Sequence, residues 1–197
     1  MVTLSAIVTV PTSLTAADFT APIAGEPALV RAVRAVRRVA PVSVVVAEGL
    51  MGAAAECLAA HGLRDVPVHT APGLPAEGDA ILVHDVRYPL APAELAARVA
   101  AALPDHDVVI PILTMTDSVK SVAAEGIVLG NVDRSELVTA QYPRGYSSAV
   151  LAGFAPDDLP ALLSAGLNVG TVDGDPNVFA VDLAHDRELL EAIVSAG

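Results

Sequence analysis

The chain has 197 residues, of which 53% are hydrophobic, and its 23 acidic and 11 basic side chains give a formal net charge of −12. This balance argues against a surface that follows nucleic-acid phosphates, and the 3% aromatic content without tryptophan argues against base stacking. The single cysteine, Cys57, excludes an internal disulfide and a cysteine-based zinc cluster.

Short β-branched runs alternate with alanine-rich segments along most of the chain. In chain order the pattern predicts a strand in "SAIVTVP", a helix in "EPALVRAVRAVRRV", a strand in "VSVVVAE", a helix in "GAAAECLAAHG", strands in "VPVHTA" and "DAILVHD", a helix in "PAELAARVAAAL" and a strand in "DVVIPIL". Continuous apolar strands between helices are typical of a mostly parallel sheet covered on both faces. The sequence therefore predicts one doubly wound α/β domain over residues 1–197.

The region from about residue 115 to residue 134 departs from this alternation. "SVKSVAAEGIVLGNVDR" contains two alternating segments around "AAEG", which predicts a β-hairpin. Such a hairpin is either an arm for a partner subunit or an ordinary surface feature. After it, "NVGTVDG" and "NVFAVDL" predict two more strands, and "DRELLEAIVSAG" predicts a closing helix.

The apolar runs are far shorter than the roughly 20 residues that cross a bilayer. The N-terminus has neither a basic segment nor a small-residue cleavage site. These features predict a cytoplasmic protein that binds no membrane.

Asp85 follows an apolar strand, at the edge of the sheet where ligands of open α/β folds bind. Its carboxylate is either one oxygen ligand of a Mg²⁺ ion or the cap of the turn that follows. The adjacent His84 is expected to be a hydrogen-bonded structural residue.

The connection between the first strand and the first long helix contains no glycine, arginine or lysine between Pro11 and Ala24. Glycines and cations are what a phosphate-binding loop uses, so this loop is poorly suited to a triphosphate. Farther along, the only lysine, Lys120, and the arginines Arg134 and Arg144 predict either a small site for one phosphate or a solvated hairpin with scattered charges.

Three blocks, "AILVHDVRYPLAP", "HDVVIPILTMTDSVKSV" and "GNVDRSELVTAQYPRGYSSAVL", occur in an order and spacing that resemble the 2-C-methyl-D-erythritol 4-phosphate cytidylyltransferase family. "PIAGEPALVRAV" near the start and "VDGDPNVFAVDLAHDREL" near the end are also similar to family motifs. The resemblance implies a Rossmann-like nucleotidyltransferase domain with a projecting β-hairpin that makes a homodimer. The implied reaction transfers CMP from CTP with Mg²⁺ in the non-mevalonate isoprenoid pathway.

The resemblance also implies roles for individual residues. Asp85 matches a family aspartate near the metal and the CTP, and Arg87 stands one place before the arginine of the same motif, which falls on Tyr88. Asp85 and Arg87 are thus the candidates for a residual nucleotide site, with Asp85 as the metal ligand. The candidates for a substrate-phosphate site are Ser118, Lys120 and Arg134.

Several family features are missing from this chain. The first loop lacks the glycine-rich run and its two cations, and Phe179 stands in place of a lysine. The segment "TAPGLPAEGDA" is too short for the family's base-reading stretch. Pre-placed cations supply much of the rate of phosphoryl transfer, so the sequence predicts a catalytically weak or inactive homologue with no intact catalytic set.

Two other interpretations remain open at this point. The chain is an active nucleotidyltransferase if Arg31, Arg87 or Arg144 replaces the lost cations. It is an unrelated small-molecule binder if the motif order is coincidental. The hairpin would pair the chain with a second copy or with a different protein.

Overall fold

The structure, a computed structural model, describes residues 3–70 and 78–196. The strands of this part of the chain are β1 (Leu4–Thr9), β2 (Pro22–Ile23), β3 (Glu26–Pro27), β4 (Val42–Val46), β5 (Val68–Thr70), β6 (Ala80–Asp85), β7 (Val108–Thr114), β8 (Val119–Val122), β9 (Val128–Val132), β10 (Val138–Ala140), β11 (Arg144–Ser147) and β12 (Val169–Asp173). The α-helices are α1 (Ala16–Thr20), α2 (Ala28–Arg37), α3 (Met51–Ala60), α4 (Ala93–Ala102), α5 (Ser148–Gly153), α6 (Leu159–Ser164) and α7 (Arg187–Ala196).

One mixed sheet forms the centre of the molecule, with the strand order β10-β7-β11-β6-β1-β4-β5 and β12 paired with β7. The pairs β5–β4, β4–β1, β1–β6 and β7–β12 are parallel, whereas β11 runs antiparallel between β6 and β7. The prediction of a mostly parallel α/β sheet is therefore confirmed.

Helices cover both faces of this sheet. On one face, α2, α3 and α4 bury side chains such as Leu29, Leu58 and Val99 against the even-numbered positions of β1 and β6. On the other face, Tyr146 and Leu162 pack with Ile7 and Ile81. Because each central strand is buried on both sides, it reads as a continuous apolar run in the sequence.

Helix α2 shows how the local pattern selects its buried face. Its apolar side chains recur at helical spacing and are buried, whereas Arg34 and Arg37 lie on the solvent side of the last turn. There they also interact favourably with the negative end of the helix dipole.

The predicted hairpin is present as β8 and β9, which among the described strands pair only with each other. Its turn is closed by two backbone hydrogen bonds, from Ala123 to the Ile127 carbonyl and from Gly126 to the Ala123 carbonyl. Gly126 has a φ of +82°, a conformation that glycine adopts without strain.

The strand predicted in "NVFAVDL" is wrong, because residues 177–183 form turns and irregular backbone. The backbone groups of this segment bond outside any ladder: Val181 donates to the Arg87 carbonyl at 3.0 Å, and the Val178 carbonyl accepts from the Gln141 side chain at 2.5 Å. The side chains of Val178 and Val181 are nevertheless buried. Their burial explains the apolar pattern of this segment, although no strand forms.

Among the described residues, no helix is both long enough and apolar enough to cross a membrane.

Candidate functional site

Asp85 ends β6 at the centre of the sheet, next to the end of β1. The parallel register pairs Thr9 with Asp85, so the last residues of both strands meet at one edge. The Asp85 side chain is only 2% exposed. A buried carboxylate requires several hydrogen bonds or a positive charge beside it.

Arg87 supplies both of these. Its backbone N–H donates to Oδ1 of Asp85 at 2.8 Å. Its Nε lies 3.0 Å from Oδ1 and 3.1 Å from Oδ2, and its Nη2 donates to Oδ2 at 2.5 Å. The hydrogen bond to Asp85 also raises the pKa of the Arg87 guanidinium, which keeps that charge in place. Both carboxylate oxygens are thus already used within the chain.

A cleft of about 550 Å³ opens beside this pair. It is lined by Ser13, Leu14, Asp18, Arg87, Ala180, Val181, Asp182, Ala184 and His185. Oδ2 of Asp18 accepts hydrogen bonds from the backbone and hydroxyl of Thr15, at 2.6 and 2.8 Å. Nδ1 of His185 lies 3.0 Å from Oδ2 of Asp182. The lining therefore combines two carboxylates with one guanidinium that is already paired, a poor match for a polyanion.

Arg144 occupies a buried position at the start of β11. Its guanidinium carbon lies 4.1 Å from the centre of the Tyr142 ring, and its Nε donates to the Gln141 carbonyl at 3.2 Å. The Tyr142 and Tyr88 rings are 5.1 Å apart. Tyr88, which stands where the resemblance expects an arginine, thus packs against Tyr142, whose ring also contacts Arg144.

The Tyr142 hydroxyl completes this cluster by bonding to the carboxylate of Asp157. Burial is the main cause that raises the pKa of Tyr142, and burial likewise raises the pKa of Tyr146 to about 12. Both phenols therefore stay protonated and act as donors at neutral pH.

The other predicted site residues lie on the hairpin. Ser118, Lys120 and Arg134 line a cleft of about 260 Å³ together with Val119, Asn131, Val132 and Asp133. The Lys120 ammonium donates to the side-chain oxygen of Asn131, and Arg134 donates to the Thr116 carbonyl. The structure thus brings these three residues together, but in a cleft that shares no lining residue with the one at Arg87.

His84 is completely buried, and neither of its ring nitrogens has a hydrogen-bond partner among the described residues. Burial lowers the pKa of His84 to about 4, with the nearby charge of Asp85 opposing the effect. The backbone of Tyr88 is a further polar group that acts on the ring in the same direction as Asp85. His84 is therefore a neutral structural residue of the core, and the expected hydrogen bond stays a prediction. The Asp85 side chain, next along the strand, points to the opposite face of the sheet.

The arginines considered as replacement cations are all engaged within the chain. Arg31 donates to the carbonyls of Ile23 and Glu26, at 2.9 and 3.3 Å. Arg144 is buried, and Arg87 is paired with Asp85. None of the three presents an unpaired guanidinium to the 550 Å³ cleft.

The site does not fit a divalent cation as it is arranged. Mg²⁺ needs free oxygen ligands in octahedral geometry, and the lone pairs of Asp85 are directed at Arg87. Within residues 3–70 and 78–196, no three histidine, cysteine, aspartate or glutamate side chains are grouped to hold a metal. The predicted Mg²⁺ ligand role of Asp85 stays a prediction.

Comparison with known proteins identifies the relatives of this fold. The profile of the IspD family, 2-C-methyl-D-erythritol 4-phosphate cytidylyltransferase, matches residues 18–196. The chain belongs to this family.

Curated members of the cytidylyltransferase family are similar to part of the chain. The enzyme of that name from Rhodococcus jostii (strain RHA1) is 35% identical over 129 residues, which are 61% of this chain and 57% of the relative. The one from Nocardia farcinica (strain IFM 10152) is 37% identical over 131 residues, 62% of this chain and 57% of the relative. The chain thus matches somewhat under two thirds of the length of these cytidylyltransferases.

Solved structures of the family share the whole fold. The 4-diphosphocytidyl-2C-methyl-D-erythritol synthase of Anaerococcus prevotii DSM 20548 superposes with a TM-score of 0.77 at 19% identity, covering 98% of each chain. The cytidylyltransferase of Thermus thermophilus gives 0.74 at 22% identity, covering 95% of this chain and 98% of the other.

Gln141 helps to shape the cleft at the sheet edge and was not predicted from the sequence. The Gln141 side chain is 1% exposed and bonds to the backbone of Asp175 and Val178, which fixes the segment that lines the cleft. A lone glutamine between "VTA" and "YPRGY" offers no periodic signal, so only its burial identifies it. The stretch predicted to be too short for base reading includes residues 71–77, which lie outside the described residues.

Proposed function

We propose that this chain is a catalytically weak or inactive member of the cytidylyltransferase family that retains the scaffold and the hairpin. One observation carries the proposal: the cleft at the ends of β1 and β6 contains one guanidinium, and that guanidinium is bonded to Asp85. CMP transfer from CTP needs cations aimed at the triphosphate as its charge redistributes.

The surroundings of the cleft support the same proposal. Helix α1, which follows β1, contributes Asp18 to the lining where a triphosphate would need positive charge. Phe179, in place of a lysine by resemblance, adds an apolar ring that is 37% exposed. Removing one stabilising donor typically lowers such rates by about 10²–10³-fold, and several are absent here.

The direct test is transfer of CMP by the purified protein. CTP, Mg²⁺ and 2-C-methyl-D-erythritol 4-phosphate are supplied, and pyrophosphate release is followed beside the Rhodococcus jostii relative as the positive control. We expect release that is far slower than that of the relative or absent. Release at a rate comparable with the relative overturns the proposal. Its loss in Arg87→Ala would then identify Arg87 as a replacement cation, and its loss in Arg134→Ala would support the substrate-phosphate site.

A role in association accompanies this proposal. The hairpin exposes four large apolar side chains, Val122, Ile127, Val128 and Leu129, each more than half exposed. An isolated two-stranded hairpin is marginally stable in water, and a contiguous apolar patch marks an interaction surface. We propose that the hairpin joins two copies of the chain, with a different family member as the alternative partner.

A further inference from the structure

The Asp85 carboxylate is buried at the sheet edge. Its negative charge is balanced by Arg87, two positions farther along the chain. Asp85 is 2% exposed, while the Arg87 side chain is 41% exposed and covers the carboxylate from the solvent side. An uncompensated carboxylate at this depth would be strongly destabilising. Arg87 is therefore the group that compensates the charge of Asp85 in the folded chain.

The geometry of the pair is set by the backbone as well as by the side chain. The N–H of Arg87 donates to Oδ1, which makes the turn after β6 an Asx turn. The guanidinium then reaches both oxygens through Nε and Nη2, the bidentate arrangement that arginine forms with carboxylates. Both oxygens are directed toward one internal cation.

We propose that the guanidinium of Arg87 takes the place of a divalent cation at Asp85, so that Asp85 binds no metal ion in the folded chain. This inference deepens the proposed function and rests on it in expecting no metal-assisted transfer. A metal ion must displace the guanidinium to reach Asp85. The other aspartate near the loop, Asp18, already accepts two hydrogen bonds from Thr15 through a single oxygen.

The wild-type protein provides the first test. Mn²⁺ is titrated into the full chain, and the free ion is measured by electron paramagnetic resonance, in parallel with Asp85→Asn. We expect the two proteins to bind Mn²⁺ identically, since any bound ion lies elsewhere. One equivalent of Mn²⁺ bound by the wild type and lost in Asp85→Asn overturns the proposal.

Removal of the internal cation provides the second test. Arg87→Gln leaves the buried carboxylate unpaired, and we expect the melting temperature to fall by roughly 10 °C in metal-free buffer. Added Mn²⁺ should then bind at Asp85 and recover most of this loss, because a ligand that binds only the folded state stabilises it. If Arg87→Gln folds and added Mn²⁺ does not raise its melting temperature, the proposal is overturned.

Arg37→Gln is the matched control. Arg37 pairs with Asp65 at 2.6 Å, but both side chains are well exposed, at 38% and 65%. The variant loses the same kind of ion pair without burying a charge, so we expect a small change in melting temperature and no recovery with Mn²⁺. If Arg87→Gln does not fold, the wild-type titration decides alone.

The metal-binding tests and the transfer assay can refute their two proposals separately. If the protein transfers no CMP but binds Mn²⁺ through Asp85, the proposal that Arg87 replaces a metal ion is refuted and the proposed function still stands. A chain that transfers CMP without binding Mn²⁺ at Asp85 refutes the proposed function instead.

Discussion

The side-chain amide of Gln141 forms a two-point clamp on the backbone of Asp175. Its Nε2 donates to the Asp175 carbonyl at 2.8 Å, and its Oε1 accepts from the Asp175 N–H at 2.9 Å. A third bond, from Nε2 to the Val178 carbonyl, extends the clamp along the chain. The segment that leads to Val181 and its neighbours in the cleft lining is thus fastened to the end of β10.

We expect Gln141→Ala to lower the free energy of unfolding by about 2–4 kcal/mol, because one buried and two partly buried hydrogen bonds are lost and their backbone partners remain unpaired. Urea unfolding followed by circular dichroism measures the change. Asn131→Ala is the control, since its amide lies on the exposed hairpin and accepts one bond from Lys120. Equal effects of the two substitutions would contradict the clamp.

Gly174 lies directly beneath the same clamp. A Cβ at this position would overlap Oε1 of Gln141 and would be 2.8 Å from the Ile112 carbonyl oxygen. We expect Gly174→Ala to destabilise the fold by about 1–3 kcal/mol, as overpacking does. Gly153→Ala, where the added Cβ meets nothing within 4 Å, should be neutral or slightly stabilising in thermal unfolding. A neutral Gly174→Ala would mean that the clamp yields easily.

The buried imidazole of His84 should make stability depend on pH. Its pKa is lowered to about 4 in the folded chain, so the unfolded state binds the proton more readily between that value and 6.5. Stability should therefore rise with pH across this window and fall as the solution is acidified. The full difference corresponds to roughly 3 kcal/mol.

Urea unfolding at pH 5 and pH 7.5 measures this contribution by comparing the wild type with His84→Leu. The variant removes the titrating group and keeps an apolar side chain, so it should lose most of the additional destabilisation at the lower pH. His185→Leu is the control, since its side chain is 82% exposed. A pH dependence that survives in His84→Leu would point to another group.

The apolar tip of the hairpin should control association. Leu129 is 69% exposed, and Leu129→Asp places a charge in the proposed interface. We expect wild-type protein to sediment as a dimer and the variant as a monomer at the same concentration. Leu163→Asp, at a leucine that is 64% exposed on α6, should leave the dimer intact. A wild-type monomer in the ultracentrifuge rejects the homodimer.

Most elements with a clear period were predictable from the sequence, with "NVFAVDL" as an exception, whereas elements held by single tertiary contacts were not. β6 with Asp85 at its end follows from an unbroken apolar run, and the hairpin follows from alternation around a glycine turn. β11 was missed because it is only four residues long and contains Gly145, a residue type that weakens a strand pattern.

The candidate site was predicted less completely than the fold. The residues Ser118, Lys120 and Arg134, which the resemblance assigned to one phosphate site, line a single cleft. Arg144, which the residue pattern grouped with Lys120 and Arg134, is buried and does not line it. The pairing of Arg87 with Asp85 was not anticipated, because both were assigned to a nucleotide. Nothing in the residue pattern distinguishes an arginine that faces a ligand from one that folds back over its own turn.

The β8–β9 ladder has a consequence for how association is observed. Within the part of the chain that the structure describes, these two strands form a sheet of their own that does not join the main sheet. Local opening of such a pair does not require the core to unfold, so its amide hydrogens exchange with solvent quickly in an isolated chain. Covering the hairpin would slow that exchange while the exchange of β1 and β6 stays the same. Deuterium uptake between residues 119 and 132 therefore reports the assembly state of this protein without any added label.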